Sequence, residues 1–489
     1  MRASPHCNST WAYKMNGEAE KATPNVPWVE LLRDGRAAYS VMVVLGAMLH
    51  ALQILVIAII MPTVVGDLGG TAYYTWAAML YTVGSIVGAA SIGPVWRALG
   101  ARRGSVASGM LLMVATTSCA LAPDMASLIV ARTVQGYAGG LIIGGTMALV
   151  SALFDEALRR RILAAYQATW MVAQLLGPVV GGVFAEIGWW RGSFWSMLPF
   201  TLCFIAIAWI KLPDRLETNV GKKGPFPFAR LALLTTGLMC IALAGPVGQT
   251  EIRAALIVAA IGLLWMMFRF DRAADNRLYP SGALSLRSPV GLALWILFLV
   301  GVVQTSVTLF LPLLLQVVYG VTPLFISFVT IVISLGWTVG TFLVSDWSGA
   351  RERMALRSGP VFMLAGMIGI AATAHFSALA VLTICAFVLG FGIGTHNVHL
   401  LARTMASAVK GEEGVTASSL PSIRSLGTAF GAAQAGMLSN MVGFGDAANP
   451  ASVAAVVTVV YGVDLIPATL CVLFMFILVR SGTPKDPVS

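Results

Sequence analysis

Long apolar runs, one after another, decide what this chain can fold into. Read between charge and turn signals, they number about fourteen, most of them around 20 residues or more, the length a helix needs to cross a bilayer. They cover 39–65, 72–95, 104–122, 126–153, 160–186, 190–211, 228–247, 252–270, 289–318, 324–345, 355–375, 378–405, 415–441 and 454–480. Inside lipid every backbone donor must be satisfied within its own segment or in a closed barrel, and runs this long without polar alternation take the helical solution. Composition agrees: 58% of the 489 residues are hydrophobic and 11% are charged, against about 25% charged in soluble domains. The expected fold class is an all-α polytopic membrane protein.

The formal charge of +10 raises the question of nucleic acid, but its placement answers differently. Lys and Arg concentrate in alternate short loops: Arg97, Arg102 and Arg103; Arg159 to Arg161; Lys211, Arg215, Lys222 and Lys223; Arg269 to Arg287; Arg351 to Arg357; Lys410; Arg480 and Lys485. The opposite loops hold little beyond Arg191 and Arg253. Positive loops face the cytoplasm, so both termini are expected there, and the number of spans is even. Twelve and fourteen both satisfy this, the doubtful pair being 228–247 and 252–270. A tag at Lys222 is then expected to be inaccessible from outside intact cells. No cleavable signal peptide is expected, since residues 1–36 are polar. The six cysteines lack metal-ligand or disulfide spacing and read as small packing residues.

The chain repeats itself. "RALGARRG" (97–104) follows the second run and "DWSGARER" (346–353) the tenth, at the same point of two six-span halves. The expected layout is a tail at 1–38, a six-helix bundle at 39–211, a linker with two inserted spans at 212–288, a second bundle at 289–480 and a tail at 481–489. Two pseudo-symmetric bundles place a substrate site between them near the midplane.

One stretch, "QLLGPVVGGVFAEIGWWRGSFW" (174–195), is poor helix material in water. Gly177, Gly181 and Gly182 leave one face bare, and Pro178 removes a backbone donor. Two readings stand: a seam between helices that rock against each other, or the tight small-residue packing common to any bundle. Gly136, Gly140, Gly144, Gly336 and Gly340 show how frequent that pattern is here.

"GPVVGG" resembles the span-5 signature of drug:proton antiporters in the major facilitator superfamily. "WWRGSFWSMLP" (189–199), "FLPLLLQVVYGVTP" (310–323) and "SIRSLGTAFGAA" (422–433) are similar to elements of the fourteen-span branch of that family. "IVARTVQGYAGG" (129–140) resembles its span-4 motif through Arg132, Gln135 and Gly136. The resemblance implies a major facilitator fold, fourteen spans, and export of drug-like, toxic or secreted compounds in exchange for protons. It implies as partners a small-molecule substrate, protons, the lipid bilayer and a periplasmic adaptor, with no nucleic acid, cofactor or metal. The expected location is the bacterial inner (plasma) membrane.

The departures are specific. At the cytoplasmic gate the family carries an acid after Gly93 where this chain has Arg97, although Gly100, Arg102 and Arg103 remain. The second copy keeps its acid, Asp346, with Gly349 and Arg351. The branch's acid in the first span is here Gln53, which cannot titrate. His50, one turn away, either takes over the proton or is a neutral histidine bonded to a backbone carbonyl.

Other polar residues within spans mark the expected pathway. Arg132 and Arg424 cannot lose their charge and are expected to contact substrate, or else to fix neighbouring spans. Gln135, Gln174, Gln304, Gln316 and Asn397 supply neutral donors and acceptors, and Tyr81 and Trp170 aromatic walls. His396, His399 and Arg403 share a helix face, either lining the cavity or merely solvated. Asp464 reads as a snorkelling surface acid, and Glu186 as a span end meeting water or Arg191.

A phosphate loop for ATP, a zinc-protease motif and a nucleophile elbow are all missing from the sequence, so an enzyme is not expected. Alternatives to an exporter are a facilitator or proton symporter of the same fold, or a transport-inactive membrane sensor.

Overall fold

The structure, a computed structural model, describes residues 28–33, 36–154, 156–214, 226–275, 277–373, 378–444 and 449–480. Arg215, Lys222, Lys223 and Lys485, the bulk of the first tail and the whole of the second lie outside the described residues. Every long element is a helix. In chain order they are α1 (Arg36–Leu68), α2 (Trp76–Leu99), α3 (Ala101–Ala120), α4 (Met125–Leu153), α5 (Glu156–Glu186), the short α6 (Arg191–Trp195), α7 (Leu198–Lys211), α8 (Phe228–Leu243) and α9 (Thr250–Ala273). Then follow α10 (Pro289–Val317), α11 (Pro323–Val344), α12 (Gly349–Thr373), α13 (Leu379–Ala406), α14 (Glu413–Met441) and α15 (Pro450–Arg480). Most helix ends fall within a few residues of those expected from the apolar runs. The run at 190–211 is two helices, α6 and α7, and Pro199 sits in the first turn of the second, where a missing N–H costs nothing.

Eleven stretches among the described residues are long and apolar enough to cross a membrane. The three long helices that fall short have identifiable reasons. α8 has 16 residues, while α3 and α14 are rich in Ser, Thr and Gly. Helix starts follow local chemistry. Asp124 caps α4 by accepting from Ser127 N at 2.8 Å, which holds its carboxyl below the usual range. Ser288 caps α10 by accepting from Gly291 N at 3.0 Å.

The helix pairings occur twice. α2 packs on α4, α3 on α4 and on α7, and α1 on α5; likewise α11 packs on α13, α12 on α13 and on α15, and α10 on α14. Two close crossings carry the same device. A Cβ at Gly140 would lie 2.8 Å from Ala89 N, and one at Gly340 would lie 3.0 Å from Thr395 N. Both are tighter than van der Waals contact, so α2 and α4, and again α11 and α13, approach backbone to backbone. α8 and α9 pair with each other, and α8 leans on α14. Arg230 and Asp271 join them in a buried ion pair at 2.5 Å. Asp271 also accepts from Leu278 N at 2.8 Å and Tyr279 N at 2.9 Å, so its charge is fully compensated.

Candidate functional site

The two repeats touch through crosswise pairs, α5 on α11 and α2 on α14. Four hydrogen bonds between them sit at one end, called here the Tyr74 end. Tyr74 donates to Leu309 O at 3.0 Å and packs against Phe310 and Phe444. Asn440 Nδ2 donates to Ala72 O at 2.8 Å. Ser327 Oγ donates to Pro178 O at 2.6 Å, and Leu324 N to Glu186 Oε2 at 3.1 Å. Glu186 thus caps the start of α11 from the other repeat. It does not meet Arg191, which pairs with Asp67 at 2.6 Å.

The Gly/Pro stretch of α5 divides its face between two neighbours. A Cβ at Gly177 would lie 2.7 Å from Leu55 Cβ, and one at Gly181 3.0 Å from Ile59 Cβ, both on α1. Gly182 instead faces α11, where a Cβ would lie 3.0 Å from Pro323 O and 3.1 Å from Leu324 Cα. Gly177 and Gly181 thus pack within their own repeat, and Gly182 lies at the contact between the two repeats.

At the opposite end, the Arg102 end, Arg102 of the expected gate is fastened to the start of the linker that follows its own repeat. Arg102 donates from Nε to Leu212 O at 2.6 Å and pairs with Asp214 at 3.3 Å. Gly100 turns the chain at φ 84° and lies hard against Asp214 O. Gly93 is buried within α2, whereas Arg97, Asp346, Gly349 and Arg351 are exposed. Gly349, with φ 58°, starts α12. In the connection before α10, Tyr279 reaches Ser422 of α14 at 3.1 Å, and burial pushes its hydroxyl up to about 12. Arg277 and Ser281 hold Glu412.

Four of the expected pathway residues meet in the first repeat. Arg132, wholly buried, donates to Ala77 O at 3.3 Å, Gln135 Oε1 at 2.6 Å and Gln53 O at 3.2 Å, and lies 4.2 Å from the centre of the Tyr81 ring. Gln135 continues to Thr116 at 2.9 Å and accepts from Cys119. Tyr81 OH meets His50 Nδ1 at 3.1 Å, and Trp170 stands edge-on to that imidazole at 6.1 Å. His50 is thus bonded to a phenol rather than to a backbone carbonyl through its ring. Gln53 Oε1 has no partner among the described residues.

The second repeat has a looser counterpart. Arg424 donates to Gln304 Oε1 at 2.7 Å and to Asn397 Oδ1 at 3.5 Å, and lies 4.7 Å from the Trp337 ring centre. All four side chains are half-buried. Gln174 is half-buried on α5, and the buried Gln316 Oε1 is unpartnered among the described residues. His396, His399 and Arg403 do not share a task. His396 bonds Gly392 O at 2.7 Å and packs against Gly359 of α12. His399 meets Val344 O of α11 at 2.8 Å and Arg403 reaches Leu478 O of α15 at 3.3 Å. Each fastens a different neighbour. Asp464 is wholly buried, which overturns its reading as a surface acid. Apolar neighbours in sequence gave no sign that α10 and α14 cover it. A surface cavity of about 590 Å³ lies against α12 and Phe476, lined by Arg353 and Arg357 and by none of the expected pathway residues.

Residues 43–432 match the family profile described as Major Facilitator Superfamily. A Mycobacterium tuberculosis protein named "Probable multidrug-efflux transporter" is 29% identical over 443 residues, 88% of this chain and 93% of that one. The "Multidrug transporter protein MdtP" of Bacillus subtilis is 24% identical, over 84% of this chain and 77% of its own length. Among solved structures, a D-xylose-proton symporter aligns at TM-score 0.64 with 15% identity, covering 92% of this chain and all of that one. A bacterial homolog of the human lysosomal transporter Spinster, inward-facing and unoccupied, aligns at 0.64 with 14% identity, covering 93% and 100%.

Proposed function

Since this chain belongs to the Major Facilitator Superfamily, we propose that it exports small organic compounds by proton antiport, opening to alternate faces of the membrane. It is a multi-pass membrane transporter and not an enzyme. The observation that carries the proposal is the set of four bonds that ties the repeats together at the Tyr74 end, as a molecule shut at that face requires. The bundles at 39–211 and 289–480 are the rocking bodies. α8 and α9 are two inserted spans, which with the twelve others make fourteen. Both termini lie in the cytoplasm of a bacterial inner membrane, so the Tyr74 end faces outward.

Arg424, Gln304 and Asn397, half-buried beside Trp337, form the substrate contact, and the half-buried Gln174 of α5 adds to it. An uncompensated guanidinium next to an indole suits neutral or anionic aromatic compounds. His50, Gln53, Arg132 and Gln135 form the supporting knot, and His396 braces α12. Gly177, Pro178, Gly181 and Gly182 are the conformational seam. Gly93, Arg97, Gly100, Arg102, Asp346, Gly349 and Arg351 form the gate at the Arg102 end. The names of the relatives, both multidrug transporters, support export.

The test is dye flux in proteoliposomes with an imposed pH gradient, using carboxyfluorescein and the cationic dye ethidium. Antiport predicts flux that grows with the gradient and stops when an ionophore collapses it. Gradient-independent equilibration favours the facilitator reading, for which Gln53 in the place of an acid speaks. Flux of neither dye overturns the proposal.

A further inference from the structure

Among the described residues, Asp464 is an acid without a counter-ion. It lies roughly 21 Å along α15 from Pro450, at 1.5 Å per residue. Its side chain is wholly buried. Oδ1 accepts from Gln434 Nε2 of α14 at 3.0 Å, and Oδ2 has no partner among the described residues. Ser306 faces it from α10. Tyr461, one helical turn away on the same face, is also wholly buried, and its hydroxyl too is unpartnered among the described residues.

Among the described residues, the elements packed on α15 bring no cation to this place, and Arg403 of α13 meets that helix near its last turn, at Leu478 O. α10 carries no ionisable residue. On α14 the ionisable residues are Glu413 and Arg424; Arg424 is roughly 15 Å from Gln434 along the helix, and its guanidinium is engaged with Gln304. On α12 they are Arg351, Glu352, Arg353 and Arg357, all in its first part at the Arg102 end. On α15 itself, Cys471 turns its thiol to Ile296 O, and Arg480 ends the helix. Tyr74, beyond Tyr461, is the remaining titratable neighbour. A carboxylate with one bare oxygen and no cation is far costlier to bury than a neutral carboxylic acid lacking one hydrogen bond.

The helices that enclose Asp464 also make the closure between the repeats. Ser306 is one turn from Leu309, whose carbonyl accepts from Tyr74. Gln434 is six residues from Asn440, which holds Ala72 O. Any parting of the Tyr74 end must break these contacts of α10 and α14, which lie within two turns of the residues around Asp464.

We propose that Asp464 is a proton-binding site, and that closing the Tyr74 end carries its proton in. The carboxylate takes the proton from the solution on that side while the end is open, and the O–H bond formed persists in the closed molecule. Use of this proton to drive export rests on the antiport reading; the binding itself does not.

The test uses the full chain in lipid nanodiscs, spin-labelled at Tyr73 and Met441, both exposed at the Tyr74 end. One proton coupled to closure changes the open-to-closed ratio by up to about tenfold per pH unit. Pulsed electron spin resonance is expected to show longer distances gaining population as pH rises. Asp464→Asn, which mimics the protonated acid, is expected to stay closed throughout and to lose an infrared band of a protonated carboxyl. Asp464→Glu is expected to restore the dependence with a displaced midpoint, and decides the matter if the Asn variant does not fold. An unchanged pH dependence and infrared band in both variants overturns the site. Gradient-driven dye flux in the unmutated chain, together with an unchanged pH dependence and infrared band in the Asp464 variants, removes the site and leaves antiport standing. Loss of the pH response in Asp464→Asn without gradient-driven flux in the unmutated chain does the reverse.

Discussion

Arg132 and Arg424 are two membrane-embedded guanidiniums with the same kinds of neighbour, an amide side chain and an aromatic face. Arg132 spends its donors on two backbone carbonyls and one amide, from α2, α1 and its own α4, and no solvent reaches it. Arg424 touches side chains alone, on α10, α13 and α11, and remains half-buried. Backbone carbonyls cannot rotate away, so the first arginine locks three helices. Side-chain amides can release their donor to a ligand, so the second has groups to offer. Position in a motif did not separate the two; the type of acceptor does.

The largest effect expected from this comparison is on stability. Arg132→Met strips several charge-assisted bonds worth ~1.5–3 kcal/mol each before any relaxation, and is expected to lower the unfolding temperature sharply and cut membrane yield. Arg424→Met is expected to stay within ~1 kcal/mol of the unmutated protein while dye flux falls more than about tenfold. Thermal unfolding and flux measured on both variants read the contrast, and equal stability losses would break it.

The next effect concerns the two sides of the α5 face. Gly182→Leu puts a side chain where Pro323 O and Leu324 stand, and is expected to part the Tyr74 end in spin-label distances. Gly181→Leu presses on Ile59 of its own repeat and is expected to destabilise by ~1–3 kcal/mol, as overpacking does, with the closure retained. Identical distance distributions would reduce both glycines to packing. A milder change follows from Ser327→Ala, which removes one bond to Pro178 O. At ~1 kcal/mol for a hydrogen bond, the closed population is expected to fall about fivefold relative to the open one. The smallest effect is expected from Arg97→Asp. That side chain is exposed, and unfolding should change by no more than ~0.5 kcal/mol.

Legibility in the sequence followed the range of the interaction. Apolar length located most helix ends to within a few residues, because a helix satisfies its own backbone and its limits are set locally. It missed the break at α6–α7, where Ser196 and Met197 give no breaker signal and Pro199 marks only a helix start. The grouping of Arg132 with Gln135 was readable as a spacing on one helix. Its bonds to Ala77 O and Gln53 O were not, since a carbonyl carries no residue identity. Glu186 looked like a water-facing span end because its partner, Leu324 N, lies 138 positions away. Asp464 looked superficial for the same reason: its cover comes from Ser306 and Gln434 on other helices.

From its sequence alone this chain is a helical, multi-pass membrane protein built on a repeated plan, because hydrophobic length and glycine spacing act within or between neighbouring segments. Which end the repeats close, which arginine is locked and which half-free, and which acid is left without a counter-ion were decided by tertiary packing. Those outcomes depend on atoms far apart in the chain meeting in a medium that supplies no water to replace a missing partner.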